Sequence, residues 1–401
     1  MSRFIFKPEP MTQKNSTYTT STTFSDTKPH YLLLDGLRGV AALMVVWYHI
    51  FEGFAFAGGT AITTFNHGYL GVDFFFILSG FVISYAYDDR WKGGNKSRLT
   101  LGNFFKRRLI RLHPMLIMGA IIGTATFLIQ GGVNWNGEAA SAQNILLALV
   151  LTMLFIPAFP GASYDIRGNG EMFPLNGPSW SLFFEYIGNI IYALILRRLN
   201  NRNLFILTFI IGILWGVYVI TDVSQYDMIG VGWTLDKINF CGGLLRMLFP
   251  LSIGMLIART FKPVKVKGIF WISTIVLFCL FSVPYIAKTG NFSLNGIFEL
   301  CCTTIIFPII VWLAASAEDN QSRFNPLYKF LGNLSYPLYI VHYPIMYLFY
   351  AWLIENKVYT LAETWPTVIL VICTSITLAH ATLKLYDEPV RRFLLKKFNK
   401  R

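Results

Sequence analysis

The chain has 401 residues, of which 54% are hydrophobic and only 14% are charged, and its mean hydropathy is +0.50. A soluble domain carries about 25% charged residues, so this composition excludes a soluble globular protein and indicates repeated membrane crossing. The net charge of +13 does not indicate nucleic-acid binding, because the Lys and Arg residues fall in short segments between apolar runs, as in cytoplasmic loops. The sequence shows no Cys/His spacing typical of a metal site and no Gly-rich phosphate loop, so we expect neither a metal nor a tightly bound cofactor.

Residues 1–30 are rich in Ser and Thr and contain no apolar run, which predicts a disordered tail and no signal peptide. Eleven apolar runs follow, at 37–57, 69–87, 112–130, 144–159, 179–196, 203–221, 240–258, 268–287, 296–316, 335–354 and 366–386. The run at 144–159 is short and ends in Pro157 and Pro160, so we interpret it as a re-entrant or interfacial segment. The predicted fold class is an all-α polytopic membrane bundle of about ten transmembrane helices plus this segment.

Basic clusters predict the orientation of the chain in the membrane. Lys and Arg concentrate at 90–111, 197–202, 259–267 and 391–401, whereas 222–239 contains three Asp residues and one Lys. Ten crossings of the inner (plasma) membrane with both termini in the cytoplasm satisfy this pattern. We therefore expect a cytoplasmic tail at 1–30, a transmembrane domain at 31–393 and a basic cytoplasmic tail at 394–401.

Arg38 and His49 lie eleven residues apart in the first apolar run. At about 100° per residue, eleven steps return a helix to within roughly 20° of its starting direction, so both side chains share one face, about 16 Å apart along the axis. Ionisable residues inside a membrane helix are costly and usually face a partner or a wet cavity. This spacing therefore predicts a polar path through the bilayer.

Two carboxylates are predicted to reach a depth similar to that of His49. Asp73 lies about one turn into the second run and Glu185 about 9 Å into the run that begins near Ser179. Either can orient an imidazole and stabilise its cationic form. An ordinary helix-capping role is equally open for Asp73, and a hydrogen bond to a backbone carbonyl is the alternative for His49.

Several segments together resemble the membrane acyltransferase-3 family. The resemblance runs from about residue 32 to 393, and its motifs are Leu34-Asp-Gly-Leu-Arg38-Gly through His49, Gly68-Tyr-Leu-Gly-Val-Asp73 through Gly80, Arg107-Arg108-Leu-Ile-Arg111, Ser179-Trp180-Ser181 through Glu185, Leu331-Gly-Asn-Leu-Ser335-Tyr336 through His342, and Glu388-Pro-Val-Arg391-Arg392.

The resemblance implies an enzyme that transfers an acyl group, commonly acetyl, from cytoplasmic acyl-CoA to an acceptor at the outer face. Family acceptors are mostly glycans or glycolipids, such as lipopolysaccharide and exopolysaccharide. Some members carry an additional esterase-like domain, which this sequence does not show, so any such periplasmic partner is expected to be a separate protein.

Within this reading, His49 is the predicted general base for a sugar hydroxyl. Arg38, Arg108 and Arg111 suit the phosphates of acyl-CoA, because guanidinium groups are permanently charged, bidentate donors. The alternatives are an ion pair of Arg38 with Asp35, and a topological or lipid-contacting role for the other two arginines.

Aromatic and hydroxyl side chains are candidates for binding the acceptor. Trp180 and Ser181 lie inside a matched motif and are assigned to the substrate. The other outer tryptophans are expected in the interfacial belt; they are Trp135, Trp233, Trp352 and Trp365. His342 and Tyr336 are expected along the donor channel.

Two other functions fit the sequence. The acceptor can be a lipid or a small molecule instead of a glycan, and the polar path can belong to a non-enzymatic transporter. No inverted repeat is evident to favour transport. Replacement of His49 by Ala separates these readings, because it stops acylation in one and flux in the other.

Overall fold

The structure, a computed structural model, describes residues 31–59, 66–93, 98–264, 266–286, 292–316 and 323–399. The predicted tail at 1–30 lies outside the described residues. Thirteen α-helices follow in chain order: α1 Leu32–Gly58, α2 Gly71–Lys92, α3 Leu101–Ile129, α4 Ala142–Met153, α5 Ser179–Leu194, α6 Asn201–Ile220, α7 Lys237–Thr260, α8 Ile269–Ser282, α9 Leu294–Cys301, α10 Phe307–Ser316, α11 Asn325–Asn356, α12 Leu361–Thr382 and α13 Glu388–Asn399.

Nine helical spans in the described part of the chain are long and apolar enough to cross a membrane. Single π-helical turns, at Cys302–Ile306 and Leu383–Asp387, join α9 to α10 and α12 to α13 within two of these spans. The predicted all-α polytopic bundle is confirmed. The predicted boundary at 393/394 falls inside α13, which continues as helix to Asn399.

Helix α8 provides a tenth pass between the two ends of the bundle, although it has only 14 residues. That length corresponds to about 21 Å, less than the roughly 30 Å of a hydrocarbon core. Phe270 at its start packs on Tyr328, near the start of α11. The carbonyl of Val283, directly after it, bonds His67 at the opposite end of the bundle.

The apolar run at 144–159 contains only the 12-residue helix α4. The chain turns at Phe155, which has a φ of 62°, and its ring packs on Phe173 and on Tyr186 of α5. The loops before and after α4 are joined by a bond from the Trp135 amide to the Arg167 carbonyl. The segment therefore returns to the end where it began, as predicted.

The two ends of the bundle differ in covering and charge. At the capped end, loops 130–141, 154–178 and 221–236 fold over the helices, and a bridge between Glu171 and Thr234 joins the last two. The opposite end, here called the basic end, contains Arg38 and Arg111. The site described below lies at the capped end.

Helices α1 and α11 run side by side from the basic end to the capped end. Gly39 lies against the backbone of Leu331, and Gly332 lies against Asp35, so small residues allow the two backbones to approach closely. This contact directs one face of α1, including His49, toward α11.

Candidate functional site

A cavity of about 450 Å³ lies at the capped end, within the usual size range of small-molecule sites. Aromatic side chains form most of its wall, and four charged residues reach it: His49, Glu52, Glu171 and Arg246. Five helices, α1, α2, α5, α7 and α11, and all three capping loops contribute to this lining. The histidine predicted to be functional thus lines this cavity.

His49 is held by a carboxylate from its own helix. Its Nδ1 lies 2.7 Å from Oε2 of Glu52, three residues later. With the Nδ1 proton directed to Glu52, the neutral imidazole has its lone pair on Nε2. Nε2 forms no hydrogen bond with the described residues. His49 is therefore held by a carboxylate and not by the backbone carbonyl of the alternative reading, and its use as a base stays a prediction.

Tyrosines hold Glu52 in place. The hydroxyls of Tyr48, Tyr350 and Tyr343 lie 3.2, 2.9 and 3.4 Å from its carboxylate oxygens. Hydrogen bonds from several hydroxyls favour the ionised carboxylate, which in turn stabilises an imidazolium at His49. Sequence reasoning missed Glu52, although its position three residues after His49 on one helix was a usable signal.

Asp73 does not contact His49. Its two oxygens accept hydrogen bonds of 3.0 and 2.8 Å from Arg246 of α7, and both side chains are buried. A bidentate guanidinium pair is a strong interaction that compensates the burial of both charges. The role of orienting His49, predicted for Asp73 or Glu185, belongs in this structure to Glu52.

Glu185 likewise has another partner. Arg108 donates to it at 2.6 Å, and the hydroxyl of Ser79 donates at 3.2 Å. This pair joins α3 to α5, and neither residue lines the cavity. Arg108 thus forms an ion pair between helices in this structure, and its predicted role at the phosphates of acyl-CoA stays a prediction.

Arginines of different helices converge at the basic end. Arg111 is exposed, makes no hydrogen bond with the described residues, and experiences the charges of Arg38, Arg108 and Arg391. Arg38 donates to Ser335 at 2.8 Å and lies 3.4 Å from Asp35. The ion pair proposed as its alternative role is confirmed, and Arg111 is the arginine left available for an anion.

Asp387 is buried in the π-helical turn and accepts two hydrogen bonds from Arg391. One comes from Nε of the arginine at 2.8 Å, and the other comes from its Nη2. This pair directs an arginine of α13 toward the same cluster. Sequence reasoning gave Arg391 no role, although it lies in one of the matched motifs.

The predicted substrate residues have different places. Trp180 lines the cavity, with the guanidinium of Arg246 5.0 Å from its ring. Ser181 is buried and bonds the hydroxyl of Tyr339 at 2.6 Å, so it positions a lining tyrosine and does not itself reach the cavity. Trp135 and Trp233 also line the cavity, contrary to the interfacial belt expected for them.

The two residues assigned to the donor channel are not cavity residues. His342 is buried, with its ring 5.2 Å from that of His49 and its Nδ1 3.0 Å from the carbonyl of Leu338. The hydroxyl of Tyr336 donates to the carbonyl of Leu112 at 2.5 Å. Their placement along a donor channel stays a prediction.

Glu171 is a second carboxylate in the cavity and has no periodic signal in the sequence, because it lies in a loop. The hydroxyl of Tyr347 donates to it. Burial raises the pKa of Glu171 from 4.5 to about 7, although Tyr347 and the nearby guanidinium of Arg167 act in the opposite direction. The cavity thus contains a carboxyl group that titrates near neutral pH.

Comparisons with known proteins agree with the motifs. Residues 31–383 match a family described as an acyltransferase domain. "Protein 2 in picA locus" of Rhizobium radiobacter is 34% identical over 169 residues, which cover 41% of this chain and 81% of that protein. A protein of Staphylococcus aureus (strain COL), provisionally named an O-acetyltransferase, is 25% identical over 392 residues.

The peptidoglycan O-acetyltransferase OatA of Listeria monocytogenes is 27% identical over 381 residues. The matched regions cover 91% and 90% of this chain but only 58% and 55% of the staphylococcal and Listeria proteins. No solved structure matches the chain. Because the family match extends over nearly all of the helical bundle, the chain belongs to the membrane acyltransferase-3 family.

Proposed function

We propose that this multi-pass membrane protein transfers an acyl group, such as acetyl, from acyl-CoA to a hydroxyl of an extracytoplasmic glycan. The observation that carries the proposal is the geometry of His49. Its Nδ1 is occupied by Glu52, while its ring faces the cavity. This arrangement suits a general base that is positioned by a carboxylate.

In the proposed reaction, Nε2 of His49 removes the proton from the acceptor hydroxyl as that oxygen attacks the thioester carbonyl. The tetrahedral intermediate collapses, the carbon–sulfur bond breaks, and the thiolate of CoA leaves. The imidazolium returns its proton to this thiolate. The products are an ester and CoA thiol, and Glu52 stabilises the imidazolium during the interval.

The donor is assigned to the basic end. Arg111 is exposed and forms no salt bridge with the described residues; Arg38 and Arg391 lie near it, and the carboxylate of Asp387, which interacts with it electrostatically, is bonded to Arg391. Such a cluster suits the phosphates of CoA. Arg38 and His49 share α1, about 16 Å apart, a length comparable to an extended pantetheine arm, and both contact α11.

The acceptor is assigned to the capped end. Its cavity has aromatic walls with a few convergent polar groups, which is typical of small-ligand sites. The distribution of Lys and Arg in the sequence supports an orientation with the capped end outside the cytoplasm. The names of the staphylococcal and Listeria relatives, which describe O-acetyltransferases, support an oxygen acceptor here as well.

The test uses the full chain in proteoliposomes, with acetyl-CoA supplied at the basic end and glycan acceptors at the capped end. We expect His49→Ala to lower the turnover by about 10²–10⁴-fold, the usual contribution of a general base. Binding of acetyl-CoA is expected to remain, since His49 lies far from Arg111. Mass spectrometry of the acceptor measures transfer, and a filter assay measures binding.

Two variants complete this experiment. Glu52→Gln is expected to lower the turnover by at least about tenfold, because an amide cannot stabilise the imidazolium. His380→Ala removes an exposed histidine of α12 and should leave the turnover unchanged. Full activity of His49→Ala would refute the proposal, and loss of acyl flux without any acylated product would favour a transporter.

A further inference from the structure

The cavity beside His49 has a wall suited to sugar rings. Trp135, Trp180 and Trp233 line it and offer flat apolar surfaces with polar edges. Four tyrosines of α11 also line it, because spacings of four or three residues put them on one helical face; they are Tyr339, Tyr343, Tyr347 and Tyr350. This wall provides stacking surfaces and hydroxyl groups, but no net charge.

Both carboxylates at the cavity contact this tyrosine face. Glu52 belongs to α1 and is engaged with His49. Glu171 is held through its backbone by the bridge to Thr234 and through its side chain by Tyr347. Two attachments to separate elements give Glu171 a defined position.

The positive charges near the cavity are occupied elsewhere. Arg246 reaches the lining, but Asp73 takes its Nε and one Nη, and the carbonyl of Val231 takes the other Nη. Arg167 is fully buried, with its guanidinium stacked 3.4 Å from the ring centre of Tyr347 and its Nε bonded to the carbonyl of Pro174. The guanidinium of Arg246 therefore has no free nitrogen, whereas Arg167, whose Nη2 has no hydrogen-bond partner among the described residues, does not line the cavity.

The balance of charge around the cavity is consequently unfavourable for an anion. Asp73 compensates Arg246, and Arg167 acts on Glu171 from outside the lining, whereas Glu52 and Glu171 both line the cavity. In a partly desolvated site, like charges placed close together cost binding free energy, and proteins use such repulsion to reject unwanted ligands.

We propose that the cavity accepts an uncharged pyranose and that Glu171 is the residue that excludes acceptors with a carboxylate or phosphate beside the reacting hydroxyl. The sugar ring stacks on the tryptophans, and Glu171 bonds one of its other hydroxyls. The inference rests on the proposed function in assigning the cavity to the acceptor.

The test compares methyl β-D-glucopyranoside with methyl β-D-glucuronide, which share ring and hydroxyls and differ by one carboxylate. With the full chain and acetyl-CoA at pH 8, we expect kcat/KM to favour the glucoside by about tenfold. Glu171→Gln should reduce this ratio at least fivefold, mainly by raising kcat/KM for the glucuronide. Glu355→Gln, which removes an exposed carboxylate at the end of α11, should leave the ratio unchanged.

An equal kcat/KM for both sugars, or a ratio unaffected by Glu171→Gln, would overturn the inference. Binding of both sugars to His49→Ala, followed by tryptophan fluorescence, gives a readout independent of transfer. Binding of the glucoside at least fivefold tighter than that of the glucuronide supports the inference. If the unchanged protein then shows no acetyl transfer, that absence would refute only the proposed function. Equal binding, or no binding of the glucoside, would overturn the inference itself.

Discussion

At the scale of single residues, the arrangement of the site depends on the partner with which each charged side chain pairs. His49 is paired with Glu52, Asp73 with Arg246, and Glu185 with Arg108. Removing one member of a buried pair leaves an uncompensated charge, which costs more than the pair contributes. Glu171 differs from these residues, because its principal partner is the neutral hydroxyl of Tyr347.

Glu171 makes stability depend on pH in a predictable direction. Burial raises its pKa from 4.5 to about 7, so the folded protein binds a proton that the unfolded chain releases between these values. This contribution to stability is therefore complete below pH 4.5 and is lost as the pH rises to 7. At 1.36 kcal/mol per pKa unit, the loss is about 3 kcal/mol at most.

As the pH rises from 5 to 8, we expect the stability of Glu171→Gln to increase relative to that of the unchanged protein, since glutamine does not ionise. Thermal unfolding at pH 5, 6, 7 and 8 measures the difference. The groups that set this titration are Tyr347, Arg167, Asn169 and Glu52. Glu355→Gln is the control, and a difference in melting temperature that does not vary with pH would contradict the assignment.

At the scale of elements, α2 and α7 form an antiparallel pair that is joined at three levels. Asp73 binds Arg246 near the capped end, and Asp88 binds Arg259 at 2.7 Å near the basic end. Between them, the backbones meet at Gly80, which lies against Leu251. Such close approach is possible only where a side chain is absent.

Gly80→Ala tests this close contact. A methyl group at this position would overlap the carbonyl oxygen of Leu251, so the helices must separate, and we expect a loss of about 1–3 kcal/mol of stability. Thermal unfolding in detergent measures it. Gly216→Ala of α6 meets open space and should leave stability unchanged or raise it by up to about 1 kcal/mol; equal melting temperatures for both variants would contradict the packing argument.

At the scale of the whole molecule, the bundle separates two regions of different chemistry. Arg38, Arg111 and Arg391 gather at one end, and the aromatic cavity with His49 lies toward the other. Helix α1 extends between them and contributes a residue to each. The proposed transfer across the membrane requires the basic end in the cytoplasm, as the distribution of Lys and Arg predicts.

Cysteine labelling tests this orientation. In a variant whose five cysteines are replaced by Ser, we expect Asn136→Cys, in the exposed loop of the capped end, to react with a membrane-impermeant maleimide in intact cells. Lys396→Cys of α13 should react only after permeabilisation, because the positive-inside rule keeps its basic surroundings in the cytoplasm. The reverse pattern would place the donor and acceptor ends on the wrong sides.

Some of this architecture was predictable from the sequence because it depends on local composition. The apolar runs, the re-entrant segment at 144–159 and the shared face of Arg38 and His49 all follow from hydropathy and helical periodicity. Glu52 was also within reach, since a carboxylate three residues from His49 on a helix must lie beside it.

The choice of partners between helices was decided only by the tertiary structure. From their predicted depths along the helices, Asp73 and Glu185 were expected near His49. In the structure, the rotation of each helix directs Asp73 to Arg246 and Glu185 to Arg108. A sequence specifies how far along its axis a side chain lies. The direction in which it points is set by the packing of all the helices together, and the loops over the capped end then determine what it meets.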